Sequence, residues 1–600
     1  MKTKNILYIL ALSLSVTACF SLDKEPEGVL STNSPFRSTG EIQNYVDQFY
    51  ESGLRFQDIT MGGGSGIAGL DTYSDNLAGS APVARINGAL SLSSAASLGG
   101  NGGLYRYIRN VNFLLNNQDN CEKNAEFNQL IGEAYYFRAW YYYQLLKDYG
   151  GVAIVTEPLD PDTELMKRPR NTRSEVADFI LEDLDRAIGL LGLQNNSSSM
   201  RVHRDVAYAL KSEVALFEGT WEKWHKAGGT PFYDSTVSNE KINEYLRTAA
   251  AAAKAVMDRG VWAVYNTGNP LNDYRVVFQT TNLGTNPEVL WYKRYDGDQV
   301  GNSVDRYLNR GGGGLGVTSS LVDDYLTIDG RPFEGDERLA AKREFGNELL
   351  PTVRDPRLSQ TVATPGQVLR PDVPAGYSIP PFNKSGFENN TTGYSLLKHV
   401  QIDWTGDLDA EYKGGTPAIQ FRYADILLNY AEALAELDGA SNAAAIISAI
   451  QPLRDRAGMP ALDFDREYNT ATDYPFRNLD KYIQAVRRER RVEQAVEGRR
   501  FYDIARWAAA DELLADSVPT GVLFIGSDLP GQYDGLVYDQ ENPQIYLTGN
   551  PGDADRYVMP IPPGVIQGGY GFNLNRDYLL PFQQRMTTLT DGLWEQNPGW

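Results

Sequence analysis

A run of aromatic and apolar residues at positions 128–155, NQLIGEAYYFRAWYYYQLLKDYGGVAIV, constrains the fold of this chain more than any other stretch. Its apolar residues recur at steps of three and four, the spacing of one face of an α-helix. The residues on this face and those that widen it are Ile131, Ala134, Tyr135, Arg138, Tyr142, Leu145, Leu146, Tyr136, Phe137, Trp140, Tyr141 and Tyr143. A helix that is apolar almost all round must be buried between neighbours. The stretch therefore predicts a packing helix in an all-α solenoid, with no catalytic role.

The end of this helix and the charges within it follow from the same stretch. Gly150 and Gly151 allow the positive φ that ends a helix, and residues 152–155 are predicted to continue as extended chain. Glu133 and Arg138 lie inside the crowded element, where long charged side chains need partners. We therefore expect both to be paired.

Other segments carry helical spacing, and several of them form pairs. Alanine and leucine occupy packing positions in residues 174–191 and 204–224, with Ser174 as a candidate N-cap. Small residues where two helix backbones approach are typical of tetratricopeptide-like units. The predicted helices are residues 39–50, 104–116, 174–191, 204–224, 242–257, 421–436, 443–457 and the arginine-rich region 479–507. Because their spacing is irregular, the sequence predicts a degenerate array of helix pairs.

Glycine- and proline-rich segments separate the helices. Residues 62–103 are predicted to be an irregular excursion, and such segments in an ordered domain are often functional. The residues that stand out in it are Asp71, Tyr73, Asp75 and Asn76. Residues 262–415 are predicted to be a loop-built subdomain with short strands, with 286–291 running into a loop. Beyond Asp511 the chain is loop-like again.

Arginine is concentrated in the helical region 479–507, with acidic residues between. The arginines are Arg487, Arg488, Arg490, Arg491, Arg499, Arg500 and Arg506. The acids, Glu489, Glu493, Glu497 and Asp503, lie at steps that favour ion pairs within and between helices. A nucleic-acid surface is the alternative, but the chain carries 56 Lys and Arg against 77 Asp and Glu, a net charge of -21. Such a chain is repelled by phosphate backbones, so we expect no nucleic-acid partner.

The amino terminus has the parts of a secretory signal. Lys2 and Lys4 precede the apolar run 6–16, which is too short for a permanent membrane span. The small residues before Cys19 resemble a bacterial lipobox, in which that cysteine is lipidated and becomes the new amino terminus. Several acyl chains, such as palmitate, on one residue would anchor the protein durably. Cleavage near Ala18 to give a plain secreted protein is the alternative.

No catalytic motif stands out in the sequence. His-Glu-x-x-His, Cys-x-x-Cys, Gly-x-Ser-x-Gly and Gly-Lys-Ser/Thr are all absent, and the three histidines are far apart. The presence of a carboxylate pair for glycoside hydrolysis is not decided by the sequence, because only the distance between the two carboxylates in space is diagnostic. The acid-rich loops 296–298 and 407–411 lack EF-hand spacing. We therefore expect no cofactor and leave a structural calcium ion open.

Nine short segments, taken in order, resemble the SusD/RagB family of outer-membrane nutrient-binding lipoproteins. They are GEAYYFRAW at 132–140, YGG at 149–151, RDPR at 354–357, RYADILLNYAEA at 422–433, LRDRAG at 453–458, RER at 488–490, EGRRFYD at 497–503, PIP at 560–562 and QNPG at 596–599. They cover essentially the whole mature chain. Ala153 replaces the family's common proline, and Arg491-Val492 replaces a more acidic segment.

The resemblance implies a fold, a location and a partner. The fold is a mainly α superhelix of four tetratricopeptide-like helix pairs with a loop-rich second half. The location is the surface of the outer membrane, with a lipid anchor at Cys19. The partner is a SusC-like TonB-dependent transporter, over which the lipoprotein sits like a lid. The ligand in this family is most often a glycan, and one branch takes up peptides instead.

The expected domain organisation follows this resemblance. The segments are a signal peptide (1–18), a lipidated tether (19–38), an N-terminal helical region (39–260) and a C-terminal region (261–600) that comprises a loop-rich subdomain (262–415), a helical part (421–510) and an irregular tail (511–600). The matching motifs are scaffold and transporter-facing elements, so they identify no ligand contacts.

Candidate ligand contacts come instead from aromatic and short polar residues of the irregular segments, because flat rings and hydrogen-bonding groups suit sugars. They are Tyr73, Asp75, Asn76, Trp291, Tyr292, Tyr295, Arg306, Tyr307, Tyr394 and Trp404. Tyr73 together with Asp75 is the leading pair, because the family tends to place ligand contacts in that loop. Three functions remain: non-catalytic glycan binding with delivery to the transporter, peptide capture on the same scaffold, and a surface glycosidase that needs a pair of acids.

Overall fold

The computed structural model describes residues 35–96, 98, 103–159, 167–373, 376–402, 410–566, 568–590 and 592–600. The predicted signal peptide and Cys19 lie outside these residues, as do Trp404 and the first three residues of the 407–411 loop. The chain is mainly α-helical, with few and short strands, as predicted.

The helices are longest in the N-terminal region and around residues 423–493. In chain order they are α1 (Thr39–Ser52), α2 (Ile67–Leu70), α3 (Leu104–Asn117), α4 (Ala125–Tyr149), α5 (Arg173–Leu190), α6 (Arg204–Ala227), α7 (Asn239–Met257), α8 (Asp273–Gln279), α9 (Val304–Leu308), α10 (Ser319–Asp324), α11 (Gly335–Lys342), α12 (Leu358–Thr361), α13 (Tyr423–Ala457), α14 (Lys481–Glu493), α15 (Arg500–Arg506) and α16 (Gln584–Leu589). The strands are β1 (Leu77–Gly79), β2 (Val289–Lys293), β3 (Leu315–Val317), β4 (Ala418–Arg422), β5 (Leu523–Ile525), β6 (Tyr546–Leu547) and β7 (Arg556–Met559).

The tyrosine-rich stretch forms α4, and its predicted burial on nearly all sides is confirmed. The Asn124 side chain caps the helix by accepting the Phe127 N–H at 2.8 Å. Gly150, with a φ of 70°, ends it. The chain then runs on without helix, and the Val155 N–H donates to the Tyr142 hydroxyl at 2.7 Å. The buried Tyr142 of α4 thus uses its hydroxyl group to hold the segment that follows the helix.

The two charged residues inside α4 are paired, as predicted. The Arg138 guanidinium donates to both carboxylate oxygens of Asp183 on α5, at 2.7 and 2.8 Å. The Glu133 carboxylate accepts two hydrogen bonds from Arg201, at 3.1 and 2.6 Å. Charge-assisted contacts therefore tie α4 to its neighbours within an apolar core.

The N-cap of α5 is Thr172, and the prediction of Ser174 is wrong. Thr172 and Glu175 form a reciprocal capping box, in which each side chain accepts the backbone N–H of the other residue. The Ser174 hydroxyl donates instead to Asp234 at 2.6 Å. The box satisfies two backbone donors at once, which explains why the helix begins at Arg173.

The helices of the C-terminal region pack on those of the N-terminal region. α5 packs on α4 and α6, α7 packs on α6, and α13 packs on both α6 and α7. α13 joins the two helices predicted at 421–436 and 443–457, with a break at Asp438, whose φ of -167° is extended. The tetratricopeptide-like array of helix pairs is therefore confirmed as the scaffold of the chain.

The segment predicted to run into a loop at 286–291 instead contributes to strand β2, which pairs antiparallel with β4. Val289, Leu290 and Trp291 are buried in it. Periodicity alone does not distinguish a loop, a strand and a helix in such a short apolar run. The other strands form a β1–β3 pair and a three-stranded sheet in the order β5-β7-β6.

The arginine-rich region divides into α14 and α15, so the prediction of one continuous helical region at 479–507 is only partly correct. The linker between them contains Val496 and Gly498, with φ values of 60° and 69°. A Cβ at Gly498 would lie 2.8 Å from Leu70, so the turn requires glycine. The predicted ion pairs are present, and many of them join α14 to segments far away in sequence.

The largest hydrophobic cluster contains residues from both sides of position 260, from Phe36 to Trp594. The domain division at 260 and 261 stays a prediction. Cys121 is a buried free thiol. Among the described helices, none combines the length and the apolar composition that crossing a membrane requires.

Candidate ligand-binding surface

The structure separates the predicted ligand contacts into a buried and an accessible group. Tyr73, Arg306 and Tyr307 are partly exposed. Trp404 lies outside the described residues. The buried ones, all less than a tenth exposed, are Asp75, Asn76, Trp291, Tyr292, Tyr295 and Tyr394. Their placement in exposed irregular segments is therefore corrected, and their role in ligand contact stays a prediction.

Asp75 is buried because two arginines of the α14–α15 region surround its carboxylate. Arg500 donates to it at 2.7 and 2.9 Å, and Arg491 lies 2.8 Å away. Burial by itself raises the pKa of Asp75, but the two guanidinium groups outweigh it and hold the pKa below its ordinary value. The Asn76 side chain is also held by hydrogen bonds: its amide oxygen accepts from Arg491 Nε, and its amide nitrogen donates to the Asp71 carboxylate. Both residues anchor the excursion to the core.

The buried aromatic candidates satisfy their polar groups inside the protein. The Trp291 indole N–H donates to the Met200 carbonyl at 2.9 Å, and its ring meets the edges of Tyr50 and Tyr136. The Tyr295 hydroxyl accepts the Gln57 backbone N–H at 2.9 Å. Such buried tyrosines and tryptophans need an internal partner for their polar group, and these have one.

An exposed aromatic surface surrounds α9, and we call it the Tyr307 patch. Its members are Arg306, Tyr307, Phe387 and Glu411, which contact one another, together with Met61 beside Gly314 and Tyr412, whose backbone N–H donates to Ser303 just before α9. The Tyr307 and Phe387 rings meet edge to face with centroids 6.0 Å apart. The Arg306 guanidinium lies 5.0 Å from the Phe387 centroid and 5.7 Å from that of Tyr307. Met61 and Tyr412 are each 60% exposed, so the surface presents apolar groups to solvent.

The glycine run 311–314 brings the parts of the Tyr307 patch together. Gly313 donates its N–H to the Phe387 carbonyl at 2.6 Å and accepts from Gly62 N–H at 2.7 Å. A Cβ at Gly312 would lie 2.5 Å from the Glu388 backbone, and one at Gly314 would lie 2.9 Å from Met61. Only glycine permits this approach of three loops. The run therefore builds the surface without contributing a side chain to it.

Charged and hydroxyl groups border the aromatic rings. The Tyr307 hydroxyl donates to the Glu411 carboxylate at 3.3 Å, and Arg306 Nε lies 3.5 Å from the same carboxylate. Arg310 pairs with Glu388 at 3.0 Å. Rings beside exposed donors and acceptors suit a hydroxyl-rich ligand with apolar C–H faces.

Asp305 lies beneath the patch and is 1% exposed. Its carboxylate accepts the Gln401 backbone N–H at 2.7 Å, but burial dominates and raises its pKa to about 7. A folded-state pKa above the unfolded value of ~3.9 favours folding at low pH. The contribution of Asp305 to the free energy of unfolding is therefore fully present below about pH 4 and is lost as pH rises through 7.

We expect Asp305→Asn to be more stable than the wild type at pH 8, by on the order of 2 kcal/mol, because it removes a buried charge. At pH 4 the two proteins should unfold at nearly the same temperature. Thermal unfolding followed by circular dichroism at both pH values measures this. Asp298→Asn, whose carboxylate is 96% exposed, is the matched control. An Asp305→Asn protein that is less stable at pH 8 would contradict the expectation.

Tyr73 lies apart from the patch, in a cleft of about 410 Å³. Its walls include Tyr73, Val83, Leu90, Tyr149, Phe501 and Leu580. Arg85 and Asp148, 3.4 Å apart, supply a polar end. Tyr73 and Asp75, two positions apart, therefore face different surroundings, a mostly apolar cleft and a pair of arginines.

The possible calcium loop at 296–298 makes local hydrogen bonds, such as Asp298 N–H to Asp296 at 3.0 Å. Within the described parts of the chain, no group of three or more His, Cys, Asp or Glu side chains is placed to hold a metal ion.

Met61, Phe387, Glu411 and Tyr412 were not predicted from the sequence. They lie on separate loops and share no spacing that would indicate a common surface. The one signal was the glycine run 311–314, because clustered glycines often mark close backbone approach.

A superhelix of helix pairs that supports an aromatic, loop-built surface defines a class of helical-repeat binding proteins. Residues 277–600, more than half of the chain, match the model of the SusD family. The chain belongs to this family. Residues 101–216 also match a model described as "Starch-binding associating with outer membrane".

Known relatives agree with this assignment. SusD-like protein P25 of Formosa agariphila is 23% identical over 543 residues, which cover 86% of this chain and 92% of that protein. The fold is similar to a SusD-like carbohydrate binding protein from Bacteroides fragilis, with a TM-score of 0.68, 19% identity, and coverage of 93% and 99% of the two chains. A laminarin-binding SusD-like protein aligns with a TM-score of 0.54, 19% identity, and coverage of 94% and 99%.

Proposed function

We propose that this chain binds a glycan at the Tyr307 patch and does not transform it. The observation that carries the proposal is a set of rings that solvent reaches, the partly exposed Tyr307 and Phe387 and the exposed Tyr412, beside the hydrogen-bonding groups of Arg306 and Glu411. Rings would stack on the C–H faces of sugar units, and the charged groups would accept and donate to hydroxyls. The relatives described above, one of which binds laminarin, support a carbohydrate ligand.

A modest affinity for the glycan is sufficient for the proposed binding role of the Tyr307 patch. A few stacked rings contribute about 0.5–1.5 kcal/mol each, and repeated sugar units add avidity. We propose that Cys19 carries the lipid anchor on the outer-membrane surface, and that a SusC-like TonB-dependent transporter receives the glycan. The model described as associating with the outer membrane supports the location.

The proposal predicts a loss of glycan affinity when the rings are removed. We expect the double variant Tyr307→Ala, Tyr412→Ala to bind the recognised glycan roughly tenfold or more weakly, because two stacking surfaces are lost. Isothermal titration of the soluble form lacking residues 1–19 against laminarin, starch and other polysaccharides measures this. Tyr468→Ala is the matched control, since Tyr468 is also exposed, at 37%, but lies elsewhere in sequence and structure.

Other outcomes would favour the alternatives. Binding of peptides, with no polysaccharide bound, would favour peptide capture on the same scaffold. Release of reducing sugar during long incubation, abolished by replacing one acid, would favour a surface glycosidase. Glycan binding that is equal in the double variant and the wild type would place the site away from the Tyr307 patch.

A further inference from the structure

A second cavity, of about 240 Å³, lies between α4, α6, β4 and α15, and we call it the Lys147 cavity. Its lining includes Arg55, Trp140, Tyr143, Lys147, Glu213 and Tyr502. It shares Leu70, Gly498 and Tyr502 with the Tyr73 cleft, so the two spaces are neighbours. A volume of this size holds on the order of eight water molecules, or one six-membered sugar ring.

Lys147 is the unusual residue of this cavity. It is only 9% exposed, and among the residues that the structure describes its ammonium has no carboxylate within 4 Å and no hydrogen-bond acceptor. The Glu213 and Asp148 carboxylates act on it only through longer-range electrostatic attraction. It lies instead against two aromatic rings, 4.6 Å from the Tyr143 centroid and 4.3 Å from that of Tyr502. Buried lysines are rarely left without a partner, because removing the charge from water is costly.

A second cation in the cavity also lacks a carboxylate partner. Among the described residues, the Arg55 guanidinium donates only to backbone carbonyls, those of Glu497 and Ile419 at 2.9 Å each and that of Gln420 at 3.4 Å. The other arginines of the lining are matched: Arg490 with Asp503, Arg506 with Glu432, and Arg499 with Glu213. Glu213 already accepts hydrogen bonds from Arg499 and the Tyr143 hydroxyl. Its negative charge is therefore compensated, and Lys147 and Arg55 give the cavity an excess of positive charge.

The remaining walls indicate more than a bare inorganic ion. Trp140, Tyr143, Phe217 and Tyr502 supply aromatic surface, and the Gln144 amide nitrogen has no protein acceptor within the described chain. Rings pack against C–H groups, an amide donor suits a hydroxyl, and a paired ammonium and guanidinium suit a carboxylate.

We propose that the Lys147 cavity binds the carboxylate-bearing ring of a sugar acid, such as a uronic acid unit. The carboxylate would lie between Lys147 and Arg55, and the ring would pack against the aromatic walls. This inference rests on the proposed function only in taking the sugar acid to come from a glycan. The site itself is separate from the Tyr307 patch.

The test is isothermal titration of free glucuronate, with neutral glucose as the matched ligand. Wild-type protein should bind glucuronate and not glucose, and Lys147→Met should weaken glucuronate binding at least tenfold. Methionine keeps the packing against Tyr143 and Tyr502 without the charge, so this variant should fold and unfold at an equal or higher temperature. Lys123→Met, at a side chain 63% exposed, is the control.

The pH dependence gives an independent readout. Burial lowers the pKa of Lys147 to about 8, so its ammonium loses its proton as pH rises through that value. Glucuronate affinity should therefore fall between pH 7 and pH 9 in the wild type and stay flat in Lys147→Met. Absence of glucuronate binding, equal binding of glucose, or unchanged binding in Lys147→Met would each overturn the inference.

A failure of the proposed glycan binding at the Tyr307 patch can be distinguished from a failure of the proposed sugar-acid binding in the Lys147 cavity. If the Tyr307→Ala, Tyr412→Ala variant loses glucuronate binding while Lys147→Met keeps it, the Lys147 cavity is not the site and the patch is. If the patch variant binds polysaccharide normally but Lys147→Met loses glucuronate, the proposed function is contradicted at the patch and the cavity is supported.

Discussion

Replacing Glu493 by glutamine is expected to lower the free energy of unfolding by about 3–5 kcal/mol, the cost of breaking a buried ion pair by removing one partner. Glu493 ends α14 and is fully buried. Its carboxylate accepts from Arg357 at 2.9 Å, Arg422 at 2.6 Å and Arg456 at 2.6 and 2.7 Å. Glutamine keeps the shape but removes the negative charge that compensates these arginines.

The surrounding charges explain why this position is sensitive. Burial alone would raise the pKa of Glu493, but Arg456, Arg422 and Arg357 outweigh it and hold the pKa well below its usual range. A lowered folded-state pKa stabilises the fold fully above the unfolded pKa of ~4.3, and this contribution is lost progressively as pH falls from there through the much lower folded-state pKa. Acid should therefore narrow the difference between the wild type and Glu493→Gln.

Urea unfolding at pH 7 and pH 3 measures the effect through the shift of the midpoint. Glu541→Gln, at an exposed position, is the matched control and should unfold like the wild type. A change below about 1 kcal/mol at pH 7 would show that the arginines find other partners, and would contradict the importance of this network.

Replacing Asp183 by asparagine is expected to cost about 3 kcal/mol, because it leaves Arg138 buried in α4 without a counter-charge. Asp183 is 0% exposed and holds Arg138 by two hydrogen bonds. Arg138 would retain its bond to Asn112 at 2.9 Å and its contacts with the Tyr135 and Phe179 rings. We therefore expect a smaller loss than at Glu493, where three arginines are affected.

The matched control for this variant is Asp185→Asn, two residues along the same helix, whose carboxylate is 61% exposed. It should change the free energy of unfolding by less than about 1 kcal/mol. Equal unfolding midpoints for Asp183→Asn and Asp185→Asn would show that Arg138 does not depend on its carboxylate partner.

The two variants also test the proposed division at residues 260 and 261. Asp183 belongs to the N-terminal region and Glu493 to the C-terminal one, but one hydrophobic cluster contains residues of both. If the regions unfold together, each variant shifts a single common transition. Two transitions, each sensitive to only one of the variants, would support two separate units.

Much of the helical scaffold was predictable, because helical spacing is a local property. The segments 39–50, 104–116, 204–224 and 242–257 match helices of the structure closely. Short strands were predicted within 262–415, but the strand at Val289–Lys293 was not located, because its partner, Ala418–Arg422, lies more than a hundred residues later. Strand pairing depends on such distant contacts, whereas a helix forms its hydrogen bonds within itself.

The burial of several predicted ligand contacts was not predictable, for the same reason. Asp75 was paired with Tyr73 because the family tends to place ligand contacts in that loop, yet the carboxylate of Asp75 is bound by Arg500, 425 residues away. Tyr307 was predicted, but Glu411, which accepts its hydroxyl, is 104 residues later on another loop. Spacing along the chain does not indicate which polar residues compensate a buried charge and which face solvent.

The sequence by itself determined the helices, the burial of the tyrosine-rich helix and the motifs of the SusD family, because periodicity and local motifs are written in neighbouring residues. Only the tertiary structure decided that the arginine-rich region holds the core together and that the Tyr307 and Phe387 rings meet at the surface. Burial and charge pairing are set by segments hundreds of residues apart, and their arrangement exists only once the chain has folded.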